Sequence, residues 1–222
     1  SVVFTHFYTW YWYSEPIMFK QVAQLMKDYV HFVPEVYVLS ARILAAMPKT
    51  FSTIHYRRGD FQYKDQRHIT PNQVFENTFE LFEEGEDIYV ATDEDMKVFK
   101  RDFIPVFEKR YKVHYYGMYE DLIKSDVTNV WLPMVETVIS SQGRVFVGTL
   151  LSTFSGYITR LRGYMPQVEN KEYYWTCYKY PNDPGYTDGP FTSENHLHGW
   201  GREYPDAWSG LATVEPEMND SK

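Results

Sequence analysis

The stretch "RVFVGTLLSTFSGYITRLRGY", Arg144 to Tyr164, joins two periodicities at a turn of small and hydroxylated residues. Its first part, "RVFVGT", is β-branched and aromatic, as a buried strand requires. Its last part, "STFSGYITRLRGY", opens with hydroxyl side chains able to accept the first N–H groups of a helix. A strand that passes through a polar turn into a helix is half of a βαβ unit.

The same alternation recurs upstream. "TFSTIHYR", from Thr50, reads as a strand, and "ITPNQVFENTFELFEEG" as a helix. In that helix Thr70 is the candidate N-cap and Pro71 fits the first turn, while Val74, Phe75, Phe79 and Phe82 are spaced for one face. "DIYVATD" and "YKVHYY" are short strands, separated by "EDMKVFKRDFIPVF", helical as far as Pro105. "NVWLPMVETVISSQG" is a helix ending at Gly143, with Pro133 disturbing its first turns. Before this series, helices are expected over Ile17 to Val30 and Glu35 to Met47, closed by Pro48. The fold class is therefore α/β: a Rossmann-like parallel sheet with helices on both faces, over residues 1–166. Residues 167–222 are dense in prolines and glycines and read as a loop-rich extension, disordered near its end.

At 222 residues the chain fits one domain plus an appendage. Its net charge of −8 argues against broad binding to nucleic acid or anionic membranes, so any anion site must be local. Aromatics make up 18% of the residues, with 20 tyrosines and 6 tryptophans. Rings that combine a stacking face with a hydrogen-bonding tip suit sugars and nucleobases, although core packing uses them too. Cys177 is the only cysteine, which leaves no internal disulfide and no cysteine-based zinc site. No run approaches the ~20 apolar residues of a membrane span. The start at Ser1 reads as an internal piece of a longer protein.

Ligands of open α/β sheets bind beyond the carboxyl ends of the strands. The first strand delivers His55, Arg57, Arg58 and Asp60 to that edge, the second "ATDED", and the fourth "GTLLSTFSGY". A helix N-terminus suits phosphate, Ser152, Thr153 and Ser155 add hydroxyls, and an arginine fork could grip the same phosphate. Alternation places Arg57 and Arg58 on opposite sides of the strand, one toward a ligand and one structural. Each piece has a plain alternative. "STFS" serves equally as an N-cap, "ATDED" as a strand end before a capped helix, and the arginines as ion-pair partners of Asp60 or Asp93. His55 could be an ordinary hydrogen-bonded core histidine. The convergence of three strand ends favours a nucleotide diphosphate.

"IHYRRGDF", "YVATDED" and "VFVGTLLSTFSGYITRLRGY", in this order, resemble motifs of the GDP-fucose protein O-fucosyltransferases and their plant and algal relatives, over roughly Thr50 to Met165. The resemblance implies one lobe of a GT-B fold, the C-terminal, donor-binding half, with the N-terminal lobe missing from this chain. It implies an inverting, metal-independent glycosyltransferase with GDP-fucose as donor substrate and no cofactor. The acceptor would be a hydroxyl on protein or glycan, and the location the Golgi or endoplasmic reticulum lumen. Arg57 resembles the arginine that holds the diphosphate and assists its departure. His55 and Asp60 match flanking nucleotide contacts, and Ser152, Thr153 and Phe154 the turn that holds phosphate and nucleoside. Glu136 stands where better-known members have an aspartate contacting the nucleotide, one methylene longer here. Related sugar-directed enzymes place a carboxylate near Asp65, a weak candidate for the base. The alternatives are a relative using another nucleotide sugar, such as UDP-rhamnose, and a non-catalytic nucleotide- or carbohydrate-binding module.

Overall fold

A computed structural model of the chain describes residues 21, 25, 28, 29, 31–62, 67–128, 130–149, 152–163, 172–175 and 191–192. The elements run in the order α1 (Pro34–Ala46), β1 (Ser52–Tyr56), α2 (Pro71–Thr78), β2 (Asp87–Thr92), α3 (Met96–Val98), α4 (Ile104–Phe107), β3 (Lys112–His114), α5 (Glu120–Ile123), α6 (Leu132–Ser141), β4 (Phe146–Thr149), α7 (Thr153–Gly163), β5 (Glu172–Trp175) and β6 (Phe191–Thr192). The strands form one six-stranded sheet in the order β3-β2-β1-β4-β5-β6. β1 to β5 are parallel and β6 is antiparallel to β5. The chain winds outward from β1 in one direction and resumes on its other side with β4. The strand order therefore reverses between β1 and β4, and a crevice opens there beyond the strand ends.

Two cores, one on each face, account for the near-continuous burial of the strands. Ile54, Tyr56, Ile88, Val90 and Val147 pack with Val74, Phe99, Phe103 and Phe107 on one side. Tyr89 and Ala91 point the other way, among Val36, Leu39, Ile43, Val135, Ile139 and Leu161. The doubly covered parallel sheet expected from the alternating pattern is thus present. The "EYYW" strand β5 was not anticipated, because a short aromatic run among prolines and charges has no distinguishing period. Apart from β5 and β6, the segment after residue 166, including its expected loops and its end, lies outside the described residues, as does most of the helix expected over Ile17 to Val30.

Three helix boundaries differ from expectation for backbone reasons. Pro105 does not end its helix: Phe99–Phe103 widens into a π-helical segment, and the Ile104 N–H reaches back to the Phe99 carbonyl, so the chain passes the proline and continues to Phe107. Pro133 does not disturb α6, because the helix starts at Leu132 and the proline falls in the first turn, where no intrahelical N–H is needed. α2 stops at Thr78, earlier than its pattern. Its start is as read: Thr70 Oγ1 accepts the Gln73 N–H at 3.3 Å and Gln73 returns the contact to the Thr70 N–H at 2.9 Å.

The end of α6 is fixed against β1 and α7. The Thr53 hydroxyl donates to the Ser140 carbonyl at 2.9 Å, and the fully buried Arg162 guanidinium reaches the carbonyls of Ser141, Gly143 and Arg144. A cation there suits the negative end of a helix. A Cβ on Gly143 would stand 2.7 Å from Thr53 Cγ2 and 3.1 Å from its backbone nitrogen. Gly143→Ala should therefore cost about 1–3 kcal/mol, seen as a lower urea midpoint with an unchanged slope. An unchanged midpoint would contradict this close approach.

Candidate functional site

β1 and β4 are laced together where they part. The Thr149 hydroxyl donates to the His55 carbonyl at 2.7 Å and accepts the Arg57 N–H at 3.0 Å. The Thr149 N–H in turn donates to Ser155 Oγ at 2.9 Å, inside the first turn of α7. One threonine thereby fixes the end of the first strand, the end of the fourth and the start of the helix that follows it. Beyond them opens a cleft of about 650 Å3, within the range of small-molecule sites.

His55, Arg57, Asp60, Glu136, Ser152, Thr153 and Phe154, the residues singled out in the sequence, all line this cleft. Alternation separates the two arginines. Arg58 lies with Tyr56, its guanidinium 5.2 Å from the ring centroid, and donates to Glu94 at 3.0 Å and to the carbonyls of Arg67 and Ile69. It is a structural residue. Arg57 lines the cleft, and its guanidinium is paired with both Asp93 and Asp60. The ion-pair alternative therefore holds for Arg57. The two partners differ in kind: the Asp60 side chain is 90% exposed and that of Asp93 29%.

α7 begins at the cleft wall. The Ser152 carbonyl accepts the Gly156 N–H at 3.0 Å, so Ser152 occupies the cap position, and the first-turn amides of Thr153 and Phe154 have no helical carbonyl to satisfy them. Ser155 departs from expectation. Instead of adding a hydroxyl donor at the helix mouth, it is fully buried, accepting from Thr149 and hydrogen-bonded to His55 Nδ1 at 2.7 Å. Position 155 points back into the fold because it sits one step past the residues that face the cleft.

The two other titratable groups are held neutral. Burial, helped by the Arg57 charge, lowers the His55 imidazole to about 3. Its ring lies 4.5 Å from that of Phe154, centroid to centroid. Desolvation raises Glu136 to about 8, the Asp93 charge adding to it and the Tyr89 hydroxyl, which donates at 3.2 Å, opposing it. At pH 7 Glu136 is thus a carboxylic acid on the cleft wall. Among the described residues, the charged side chains on the cleft are the Arg57 guanidinium and the carboxylates of Asp60 and Asp93.

Sequence reasoning missed the lacing role of Thr149 and the buried Tyr89 behind Glu136. The signal for Tyr89 was present, since it is a polar-tipped ring in a run of apolar strand residues. Leu132, Pro133 and Ala91 complete the wall near Glu136. Asp65 lies outside the described residues.

Comparison with known proteins bears on this arrangement. A family model described as GDP-fucose protein O-fucosyltransferase matches residues 2–165. Comparison with curated proteins gives no match. Similar solved structures include POFUT1 in complex with GDP-fucose, 16% identical over 70% of this chain and 49% of that one, with a TM-score of 0.48. Another is POFUT1 in complex with GDP, 15% identical over 70% and 50%, with a TM-score of 0.47. A third is an arginine-to-lysine variant of Arabidopsis thaliana FUT1 with GDP, 12% identical over 72% and 36%, with a TM-score of 0.44. The chain spans about half the length of POFUT1 and about a third of that of the plant protein. By the family match over residues 2–165, it belongs to the GDP-fucose protein O-fucosyltransferase family.

Proposed function

We propose that this chain is the donor-binding lobe of an inverting, metal-independent fucosyltransferase that moves fucose from GDP-fucose to an acceptor hydroxyl, on protein or glycan, in the secretory pathway. The observation that carries the reading is the meeting of Arg57 and the start of α7 at one cleft, at the reversal of strand order, in a member of this family.

The chemistry follows from charge. When the bond between the anomeric carbon and the β-phosphate oxygen breaks, the electron pair stays on that oxygen and GDP leaves with added negative charge. An attacking acceptor oxygen on the opposite face inverts the centre, and its proton goes to a base supplied from outside the residues assigned here. Arg57 and the first-turn amides of α7 offer preorganised positive charge to the departing diphosphate. The neutral His55 brings no charge to the nucleotide; its Nδ1 is held by Ser155 and its ring lies beside Phe154. Asp60 repels phosphate while it is ionised, so its part is to leave Arg57 and take a ribose or sugar hydroxyl. Glu136 pairs with the N1–H and N2 amino group of guanine, and Phe154 packs beside the nucleoside. This pairing selects guanine, since uracil has no such pair of donors.

Two measurements follow. In calorimetry the chain should bind GDP more tightly than UDP, and Arg57→Ala should weaken GDP by roughly ten- to a hundredfold. Equal binding of the two nucleotides, or indifference to Arg57→Ala, would contradict the assignment. The second concerns protons. Burial keeps Glu136 protonated up to about pH 8, whereas pairing with guanine needs the carboxylate. GDP binding therefore releases a proton, and affinity rises from pH 6 to 8 more steeply in the unaltered chain than in Glu136→Gln. Identical pH profiles in the two chains would remove Glu136 from base recognition.

A further inference from the structure

The segment Thr92 to Glu94 has no part in the donor contacts above, yet its polar atoms are committed to the arginine turn. Thr92 Oγ1 donates to the Tyr56 carbonyl at 2.6 Å, and Glu94 accepts from Arg58 Nε at 3.0 Å. Between them, Asp93 accepts the Arg58 N–H through Oδ1 at 2.7 Å and the Arg57 guanidinium through Oδ2. The carboxylate can lie there only because residue 59 is glycine. A Cβ on Gly59 would overlap Asp93 Oδ2 and come 3.1 Å from Asp93 Cγ.

Resting on the donor-site reading above, we infer that Asp93 is the positioning residue of the diphosphate site: seated against the bare backbone of Gly59, its carboxylate holds the Arg57 guanidinium in the orientation that receives a pyrophosphate. The two aspartates on Arg57 divide the work. Asp60, 90% exposed, makes an ion pair of the kind that exchanges readily with solvent and anions. Asp93, 29% exposed, is tied down by donors from two successive residues and stays in place. A guanidinium carries five N–H donors in a fixed plane. Asp93 occupies an Nη1 position, so the release of Asp60 from Nη2 leaves the remaining donors facing the cleft. Without Asp93 the long arginine chain would have to be ordered by the ligand itself, at a cost in affinity.

The opposite role is physically clear. A carboxylate that merely competes with the phosphate for Arg57 would weaken binding, and its neutralisation would tighten it. The two roles are separated by titrating the chain, Asp93→Asn and Gly59→Ala with inorganic pyrophosphate, GDP and guanosine. Asparagine keeps the acceptor for the Arg58 N–H but loses the charge on Arg57; alanine at 59 keeps every charge and displaces the carboxylate. Both variants should bind pyrophosphate roughly ten- to a hundredfold more weakly, with GDP weakened too and guanosine not weakened. The retained guanosine binding also reports an intact cleft, which a purely structural loss would not spare. Pyrophosphate binding equal to or tighter than that of the unaltered chain in Asp93→Asn would overturn the inference, as would parallel loss of guanosine. A chain that binds pyrophosphate without preferring GDP over UDP, with both variants weakened, supports this role of Asp93 and rejects only the choice of donor. Failure of the unaltered chain to bind either pyrophosphate or GDP would reject both.

Discussion

A single hydroxyl, on Thr149, spans the point where the sheet reverses direction. By donating to the His55 carbonyl and accepting the Arg57 N–H, it holds together two strands that would otherwise diverge. Everything proposed for the site depends on that seam. It sets where Arg57 leaves the sheet, and through the Thr149 N–H and Ser155 it also sets where α7 begins. A parallel sheet with this strand order offers a crevice at that point in any sequence. What this sequence adds is a cation on one lip and a helix start on the other.

Among the described residues, the charge on the cleft is slightly negative rather than positive. Arg57 is matched by Asp60 and Asp93, while His55 and Glu136 are kept uncharged by burial. Such a cleft attracts no anion by bulk charge, in keeping with a chain whose net charge is −8. In the proposed reading selectivity comes from geometry: a ligand must bring an anion to Arg57 and the helix start, and hydrogen-bond donors to Glu136. Isolated phosphate satisfies only the first of these requirements. A nucleoside diphosphate with a guanine-like edge satisfies both.

Much of this was legible before any coordinates. The strand pattern of "TFSTIHYR", "DIYVAT" and "RVFVGT" carries the sheet, because runs of β-branched and aromatic residues suit buried strands, even where β1 buries Ser52, Thr53 and His55 among them. The strand-end rule then places His55, Arg57, Asp60, Ser152, Thr153 and Phe154 on one cleft, and the family resemblance adds Glu136. The misses have a common cause: they depend on what lies behind a residue rather than on the residue itself. Ser155 reads as a helix-mouth hydroxyl until the neighbouring strand brings His55 and Thr149 against it. Pro105 reads as a stop until the π-helical segment Phe99–Phe103 shows how the chain passes it. The partnership of Asp93 with the arginine turn requires knowing that β1 and β2 are neighbours and that Gly59 leaves room between their ends. The antiparallel partner of β5, two residues long, carries too little pattern to be seen at all.

The central claim is that one diphosphate is shared by Arg57 and the mouth of α7. A crystal structure of this chain with GDP tests it most directly. The account predicts phosphate oxygens at hydrogen-bonding distance, about 3 Å, from both the Arg57 guanidinium and the Thr153 or Phe154 amide. A diphosphate that touches only one of them, or GDP seated elsewhere on the sheet, would contradict it.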